Sequence, residues 1–381
     1  MPDPQSPALR RTPLAAVHAG LGATMTEFAG WLMPLRYGSE TAEHNAVRKA
    51  AGLFDLSHMG ELMITGDGAA AVLDYALVGE ASAIKPGRAR YTMICAPDGG
   101  VIDDLIVYRL AESQYLVVAN ASNAAVVAAE LAERSDGRGA EVRDRTADYA
   151  LIAVQGPRAA AIVASLTSTD LDQVRYYASY QATIAGSEAL LARTGYTGED
   201  GFEIFVGPQE AAPLWEALTE AGRGFGLVPA GLAARDSLRL EAGMPLYGNE
   251  LGRDVTPYDA RLGRVVNLDK PGDFVGRAAL AERAQAAPTR VLVGLAGQTR
   301  RVPRHGYSVL WNGEPCGTVT SGAPSPTLGR PIAMAYVTAE MAAEARSAAG
   351  TSQGRLAVDI RGSAEPAELV PLPFYKRPTP N

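Results

Sequence analysis

Two adjacent carboxylates, Asp103 and Asp104, stand inside the apolar run Val101-Ile102-Asp103-Asp104-Leu105-Ile106-Val107-Tyr108. Side chains alternate faces along a strand. Strict alternation puts Ile102, Asp104, Ile106 and Tyr108 on one face and Val101, Asp103, Leu105 and Val107 on the other. Aspartate is depleted in strands. A carboxylate in apolar surroundings raises its pKa unless a partner holds its charge. Asp104 can therefore hold a cationic or proton-bearing nitrogen of a ligand, or serve general acid–base work. The plainer alternative is a structural carboxylate accepting backbone N–H groups. Asp103 follows the preceding turn more closely, and the structural reading suits it better.

A second cluster is Arg193-Thr194-Gly195-Tyr196-Thr197-Gly198-Glu199-Asp200-Gly201-Phe202-Glu203. Its glycines and threonines predict a tight loop that holds Tyr196. A β-turn explains the glycines but not Glu203 on the strand that follows. Arg235, on a predicted helix, is the third element; a surface charge paired with Asp236 or Glu241 is the simpler account of it. Tyrosine outnumbers phenylalanine 15 to 7, and tyrosine offers a flat apolar face with a polar tip. Core packing is the default for most of these rings. A carboxylate, a glutamate and aromatic rings together would suit a pterin, whose amino-pyrimidine edge presents donors.

These residues need strands and helices to position them. Residues 90–96, 101–110 and 115–120 are three apolar runs, and Pro97-Asp98-Gly99-Gly100 joins the first two. This predicts an antiparallel meander with Asp104 on its middle strand. Helices are predicted over 40–51, 66–78, 122–135 (opened by a serine cap), 157–166, 208–222 and 229–244. Strands are predicted at 151–154, 189–194 and 202–207. The first dozen residues read as a loose tail. Residues 279–289 are polar and alanine-rich and read as a linker. From residue 290 on, short apolar runs alternate with Gly, Pro and Ser, and Asn312-Gly313 is a hairpin signal. The fold class is α+β for 1–278, with an all-β barrel or sandwich over 290–381.

At 381 residues the chain is long enough for two or three domains. A formal net charge of -7 argues against nucleic acid as partner. No apolar run reaches membrane-spanning length. Cys95 and Cys316 lie far apart with no Cys/His cluster beside them, so neither a disulfide framework nor a metal site is expected. Free thiols and the lack of a secretory segment in the first 20 residues suggest the cytoplasm. No phosphate-cradling loop, Gly-x-Ser-x-Gly elbow or His-Glu-x-x-His motif is present, and the four histidines form no triad by spacing.

Taken together, ten segments in order resemble the T-protein family, the aminomethyltransferases of the glycine cleavage system. They are residues 27–31, 52–61, 99–108, 155–157, 193–203, 230–236, 245–248, 274–277, 320–326 and 373–375. The resemblance implies two interleaved α+β domains around a central cavity, with a meander unit at about 55–145, and a C-terminal β-barrel. It implies tetrahydrofolate as co-substrate, no metal, and a lipoylated H-protein as partner. The family's key acid falls on Asp104. Tyr91, Tyr196, Glu203 and Arg235 fall on folate-binding positions. Met59, Asn120 and Tyr108 match the lining of the same pocket, and Tyr375 is placed to close its folate side. On this reading Glu203 and Tyr196 grip the pterin and Arg235 attracts the glutamyl carboxylate. Asp104 orients the N5/N10 region. Arg277 and Arg301 are candidates for the surface that receives the lipoyl arm. A stand-alone folate-dependent demethylase is a rival within the fold. A folate-binding maintenance protein for iron–sulfur enzymes is a rival of another class. Its cysteine motif is replaced here by Lys270-Pro271-Gly272-Asp273-Phe274-Val275-Gly276-Arg277.

Overall fold

The computed structural model describes residues 8–347 and 355–378. Two sheets organise the first 270 residues. A five-stranded sheet holds the meander: Arg88–Cys95, Val101–Ala111 and Gln114–Ala119 pair antiparallel in that order. Gly60–Thr65 and Glu141–Asp144 continue it beyond Gln114–Ala119. A six-stranded sheet contains Ala51–Asp55, Ala150–Gln155, Ser187–Ala192 and Gly201–Val206 among its strands. Ala51–Asp55 and Ala150–Gln155 are neighbours in it. The five-stranded lobe is thus an excursion between two adjacent strands of the other sheet.

The sheets face each other across a shared core. Met63, Tyr108, Leu116 and Val118 come from one side, and Phe54, Leu151, Ala153, Leu190 and Phe205 from the other. The helices Glu40–Lys49 and Leu232–Glu241 add Val47, Ala234 and Leu238 to it. This seam positions the polar residues discussed below. Strand periodicity builds it, because alternate residues of each strand turn inward and most of these are apolar.

The C-terminal unit is a closed six-stranded barrel of Arg290–Gly297, Arg330–Thr338, Glu314–Ser325, Ser308–Trp311, Leu356–Ile360 and Ser363–Val370. Closure removes free sheet edges. Asn312 and Gly313 turn its first hairpin, Ser308–Trp311 to Glu314–Ser325, with φ of 53° and 87°. Two successive left-handed residues are what a two-residue hairpin loop demands, and Asn-Gly meets that demand at least cost.

Several expectations change. Ile102 packs with Leu105 and Val107, and Val101 packs with Met93 and Cys95. The register shifts between Ile94 and Cys95, so a bulge resets the alternation at the start of the strand. From Asp104 onward the expected faces hold, since Ile106 and Tyr108 pack in the shared core. The segment read as a linker is mostly helix, Arg277–Gln285, because alanine, glutamate and arginine are good helix formers. Arg10–Arg11 pairs with Trp31 and Leu32 in a small three-stranded sheet, so that part of the expected tail is tied down; residues 1–7 lie outside the described residues. The helix Ala124–Ser135 starts after Asn123, not at a Ser122 cap, and Asn123 caps nothing with its side chain. The helix Ala339–Ser347 was not anticipated within the all-β region.

Candidate active site

Asp104 lies in the middle of its strand, half-buried, on the face turned toward the seam. Its Oδ2 accepts the Tyr91 hydroxyl at 2.9 Å, and its Oδ1 accepts Asn120 Nδ2 at 2.8 Å. Burial raises its pKa above the usual carboxylate range, and these two hydrogen bonds oppose the rise. Asp103 points away and is fully buried. It accepts the Asn120 backbone N–H at 2.9 Å, Asn120 Nδ2 at 2.8 Å and Asn123 Nδ2 at 2.7 Å. Burial, and then the charge of Asp104, raise its pKa to about 7, against the pull of both asparagines. Asn120 therefore ties the two carboxyls together through one amide. The pair titrates as a unit.

Glu203 is delivered by the opposite sheet. Its cross-strand neighbours, Ala153 and Ala192, both belong to the shared core, so Glu203 faces the seam from the far side. Glu203 Oε2 accepts the Tyr108 hydroxyl at 3.3 Å and also the Thr194 hydroxyl. The Tyr108 and Thr194 hydroxyls are 3.0 Å apart.

The loop that holds Tyr196 is moulded on Gln155. Gln155 Nε2 donates to Thr194 O at 3.0 Å, and Thr197 Oγ1 donates to Gln155 Oε1 at 2.9 Å. A Cβ at Gly195 would lie 2.0 Å from Gln155 Oε1, so only glycine fits there. The Tyr196 hydroxyl donates to Pro245 O. The Arg235 guanidinium sits 4.8 Å from the centroid of the Tyr196 ring.

The simple account of Arg235 fails. Asp236 pairs with Arg239, and Glu241 pairs with Arg48. Among the described residues no carboxylate stands within the 4.0 Å ion-pair distance of Arg235. It is half-buried, and burial lowers its pKa while Glu203 pulls the other way. A cation held in this way is poised for an anionic ligand group.

Not every expected residue joins this cluster. Met59 is half-buried and packs on the shared core. Tyr375 lies behind the Tyr196 loop, with Arg48 4.1 Å from its ring centroid. Burial and then Glu199 raise its hydroxyl to about 12. No direct contact links it to Asp104.

Three residues, Tyr177, Tyr247 and His58, join the site without having been singled out, and a buried acid, Glu61, lies on Gly60–Thr65 of the same lobe. Tyr177 stands close enough for the charges of both Glu203 and Asp104 to raise its pKa, after burial. Its φ is 58°, a costly conformation for a bulky residue and one that marks functional positions. Tyr247, inside the 245–248 motif, feels Asp103 and Asp104. His58 is buried beside Arg235, and its Nδ1 has no partner among the described residues. Burial and the Arg235 charge lower it to about 4, so it is neutral. Glu61 is buried with both carboxyl oxygens unpartnered among the described residues, and burial raises its pKa well above the ordinary range. Nothing local in the sequence marks Tyr177, whereas Glu61 ends the segment 52–61. Tyr177 lies in the turn before Ser179–Ile184, held by its N–H donating to Arg193 O and its carbonyl accepting the Ala89 N–H.

Among the described residues no group of three or more His, Cys, Asp or Glu side chains could hold a metal ion, and no helix is long and apolar enough to cross a membrane.

Two family models cover the chain: the GCVT N-terminal domain over residues 14–270, and the glycine cleavage T-protein C-terminal barrel domain over residues 290–376. The chain belongs to the glycine cleavage T-protein family. The aminomethyltransferase of Streptomyces coelicolor is 64% identical over 375 residues, covering 98% of this chain and 99% of that one. That of Moorella thermoacetica is 47% identical over 372 residues, with 97% and 99% covered. The crystal structure of the glycine cleavage system aminomethyltransferase T from Bartonella henselae matches with a TM-score of 0.87 at 38% identity, over 97% of this chain and 99% of that chain. Family and fold agree with the α+β and barrel reading of the sequence.

Proposed function

We propose that the chain transfers the methylene of an aminomethyl group, carried on the lipoyl arm of an H-protein, to tetrahydrofolate. The products are ammonia, 5,10-methylenetetrahydrofolate and the dihydrolipoyl H-protein. The single observation that carries this is the pair of opposed carboxylates. Asp104 and Glu203 enter one seam from two sheets, beside aromatic rings and an Arg235 that has no carboxylate partner among the described residues.

These residues fit a reduced pterin with an acidic tail. Tetrahydrofolate supplies two nucleophilic amines, N5 and N10. Glu203, aligned by Tyr108 and Thr194, suits the amino-pyrimidine edge. Tyr196 offers a ring face, and Arg235 attracts a carboxylate; desolvated contacts of that kind contribute roughly 1.5–3 kcal/mol each. Asp104, oriented by Tyr91 and Asn120, stabilises positive charge at the reacting nitrogen and exchanges a proton with it. Such help is typically worth about 10²–10⁴-fold. Met59, Asn120 and Tyr108 line the pocket in this reading, and Tyr375 closes it from behind the loop.

We further assign residues 1–278 to folate binding and 290–381 to the barrel, joined by the Arg277–Gln285 helix and its exit. We place the chain in the cytoplasm, on the strength of its two free cysteines.

The test is production of 5,10-methylenetetrahydrofolate from aminomethylated H-protein and tetrahydrofolate, with and without enzyme. Turnover of a methylated amine instead of the H-protein substrate would refute the proposal.

A further inference from the structure

In the proposed reaction the reacting group arrives on another protein, and some surface must receive that protein. Arg277 is not free to do so, because it donates to the carbonyls of Leu268, Lys270 and Gly272. Arg301 is 3.0 Å from Glu365. A different surface has the right properties.

The edge strand Arg88–Cys95 carries Tyr91 to Asp104. Just before Tyr91 on this strand, Arg90 is exposed and Arg88 is half-buried. Their guanidiniums donate only to carbonyls, of Glu80 at 2.9 Å and Tyr176 at 3.0 Å. A long connection, residues 252–268, runs beside this strand. Val101 N–H donates to Gly252 O and Val255 O at its start, and Asn267 N–H donates to Val78 O at its end. Arg253, Arg261 and Arg264 on this connection are exposed. Among the described residues none of these five arginines has a carboxylate oxygen within the 4.0 Å ion-pair distance.

Three of the acidic residues nearby are already engaged, while Asp98 accepts the Gly100 N–H and Asp269 is exposed just past the end of the connection. Asp254 faces Arg290 at 3.8 Å, Asp259 faces Arg283 at 2.5 Å, and Glu80 accepts Asn267 Nδ2 at 3.0 Å. Between the arginines, Leu262, Val265 and Val266 are half-buried and pack in one cluster with Tyr91 and Tyr247. The Tyr247 hydroxyl lies beside Arg253 on one side and near Asp103 and Asp104 on the other. An uncompensated cationic rim with an apolar floor thus leads directly to the candidate catalytic carboxylate.

We propose that this rim, centred on Arg253, Arg261 and Arg264, is where the carrier protein docks, through an acidic face next to its substrate-bearing arm. This rests on the functional reading above. The chain's formal net charge is -7, so an acidic partner is repelled by most of the surface and drawn to this stretch. That arrangement gives orientation and association rate more than raw affinity.

The experiment is steady-state kinetics of the full chain with the double variant R261E/R264E, neither residue being part of the site. At low salt the KM for the aminomethylated carrier protein rises by about tenfold or more, while kcat at saturating carrier and the KM for tetrahydrofolate stay as in wild type. Free aminomethyl-dihydrolipoamide is turned over at the wild-type rate. The gap narrows as ionic strength rises. If the double variant lacks the wild-type circular dichroism, R261Q/R264Q takes its place, with a smaller rise in the same KM. An unchanged carrier KM overturns the proposal. So does a raised tetrahydrofolate KM, which would make the rim a seat for the coenzyme's anionic tail. Wild-type enzyme that turns over neither substrate with tetrahydrofolate overturns the functional reading itself.

Discussion

At the scale of single residues, the candidate chemistry rests on a carboxyl pair bound to one asparagine. Asp104→Asn keeps the shape and removes the charge. It is expected to lower kcat by about 10²-fold or more with the tetrahydrofolate Kd little changed, read by single-turnover assay beside equilibrium binding. Asn120→Ala removes the amide shared by Asp103 and Asp104. Losing a hydrogen bond to an ionised group costs roughly 1.5–3 kcal/mol, about ten- to a hundredfold in rate if it is felt in the transition state. The pH profile tests the same point. Burial raises the Asp104 pKa, so activity that needs the carboxylate falls as pH drops through a value above the ordinary carboxylate range. Asn120→Ala moves that limb higher still, because a bond that favours the charged form is gone. Asp104 was legible in the sequence because a carboxylate among β-branched residues is a visible anomaly. Tyr177 was not, because its position depends on a left-handed backbone angle and on two sheets meeting.

Elements position these residues, and one buried clamp does most for the loop facing Asp104. Arg239, on the helix Leu232–Glu241 one turn beyond Arg235, is almost fully buried. It donates to Glu250 at 2.9 Å, to Met244 O at 3.2 Å and to Ser321 of the barrel at 2.7 Å. Glu250 in turn accepts the Leu246 N–H at 2.9 Å. The turn that presents Pro245 to Tyr196 and Tyr247 to the carboxyl pair hangs on this ion pair. Arg239→Met leaves Glu250 charged and unpaired in the interior, and is expected to cost about 3–5 kcal/mol in a denaturation measurement. Arg239→Met/Glu250→Leu should recover part of that. Most strands and helices were legible from periodicity and turn residues. The helix Arg277–Gln285 was read as linker because its exposed faces are polar all round, with little apolar stripe to reveal it. The expected Ser122 cap fails for a different reason: the helix starts one residue later, and Asn123 at its start spends its side chain on Asp103.

Across the whole molecule, one carboxylate joins barrel to body. Glu241 is fully buried and accepts Arg48 at 2.9 and 3.0 Å, Thr327 Oγ1 at 2.7 Å and Ser325 Oγ at 2.5 Å, with His44 Nε2 3.1 Å away. Burial alone would raise its pKa, but the His44 contact and the hydroxyl bonds outweigh it and hold it at about 2, against an ordinary 4.5. A depressed folded-state pKa gives stability that is complete above about pH 4.5 and lost as pH falls toward 2. The amount is on the order of 3 kcal/mol. Glu241→Gln should flatten that part of the stability-versus-pH curve, followed by urea melts between pH 5 and 2.5. The family resemblance carried the barrel and the interleaving; periodicity alone could not show that two distant strands become neighbours. The lobe bearing Asp104 departs after Asp55 and returns at Ala150, and Leu56 N–H donates to Leu151 O at 2.8 Å. Its entrance and exit therefore share one doorstep, the arrangement under which inserted modules and relocated chain ends are tolerated. A transplant of that lobe between relatives needs only two adjacent junctions, and it would carry the acid to a new scaffold while leaving the Glu203 wall behind.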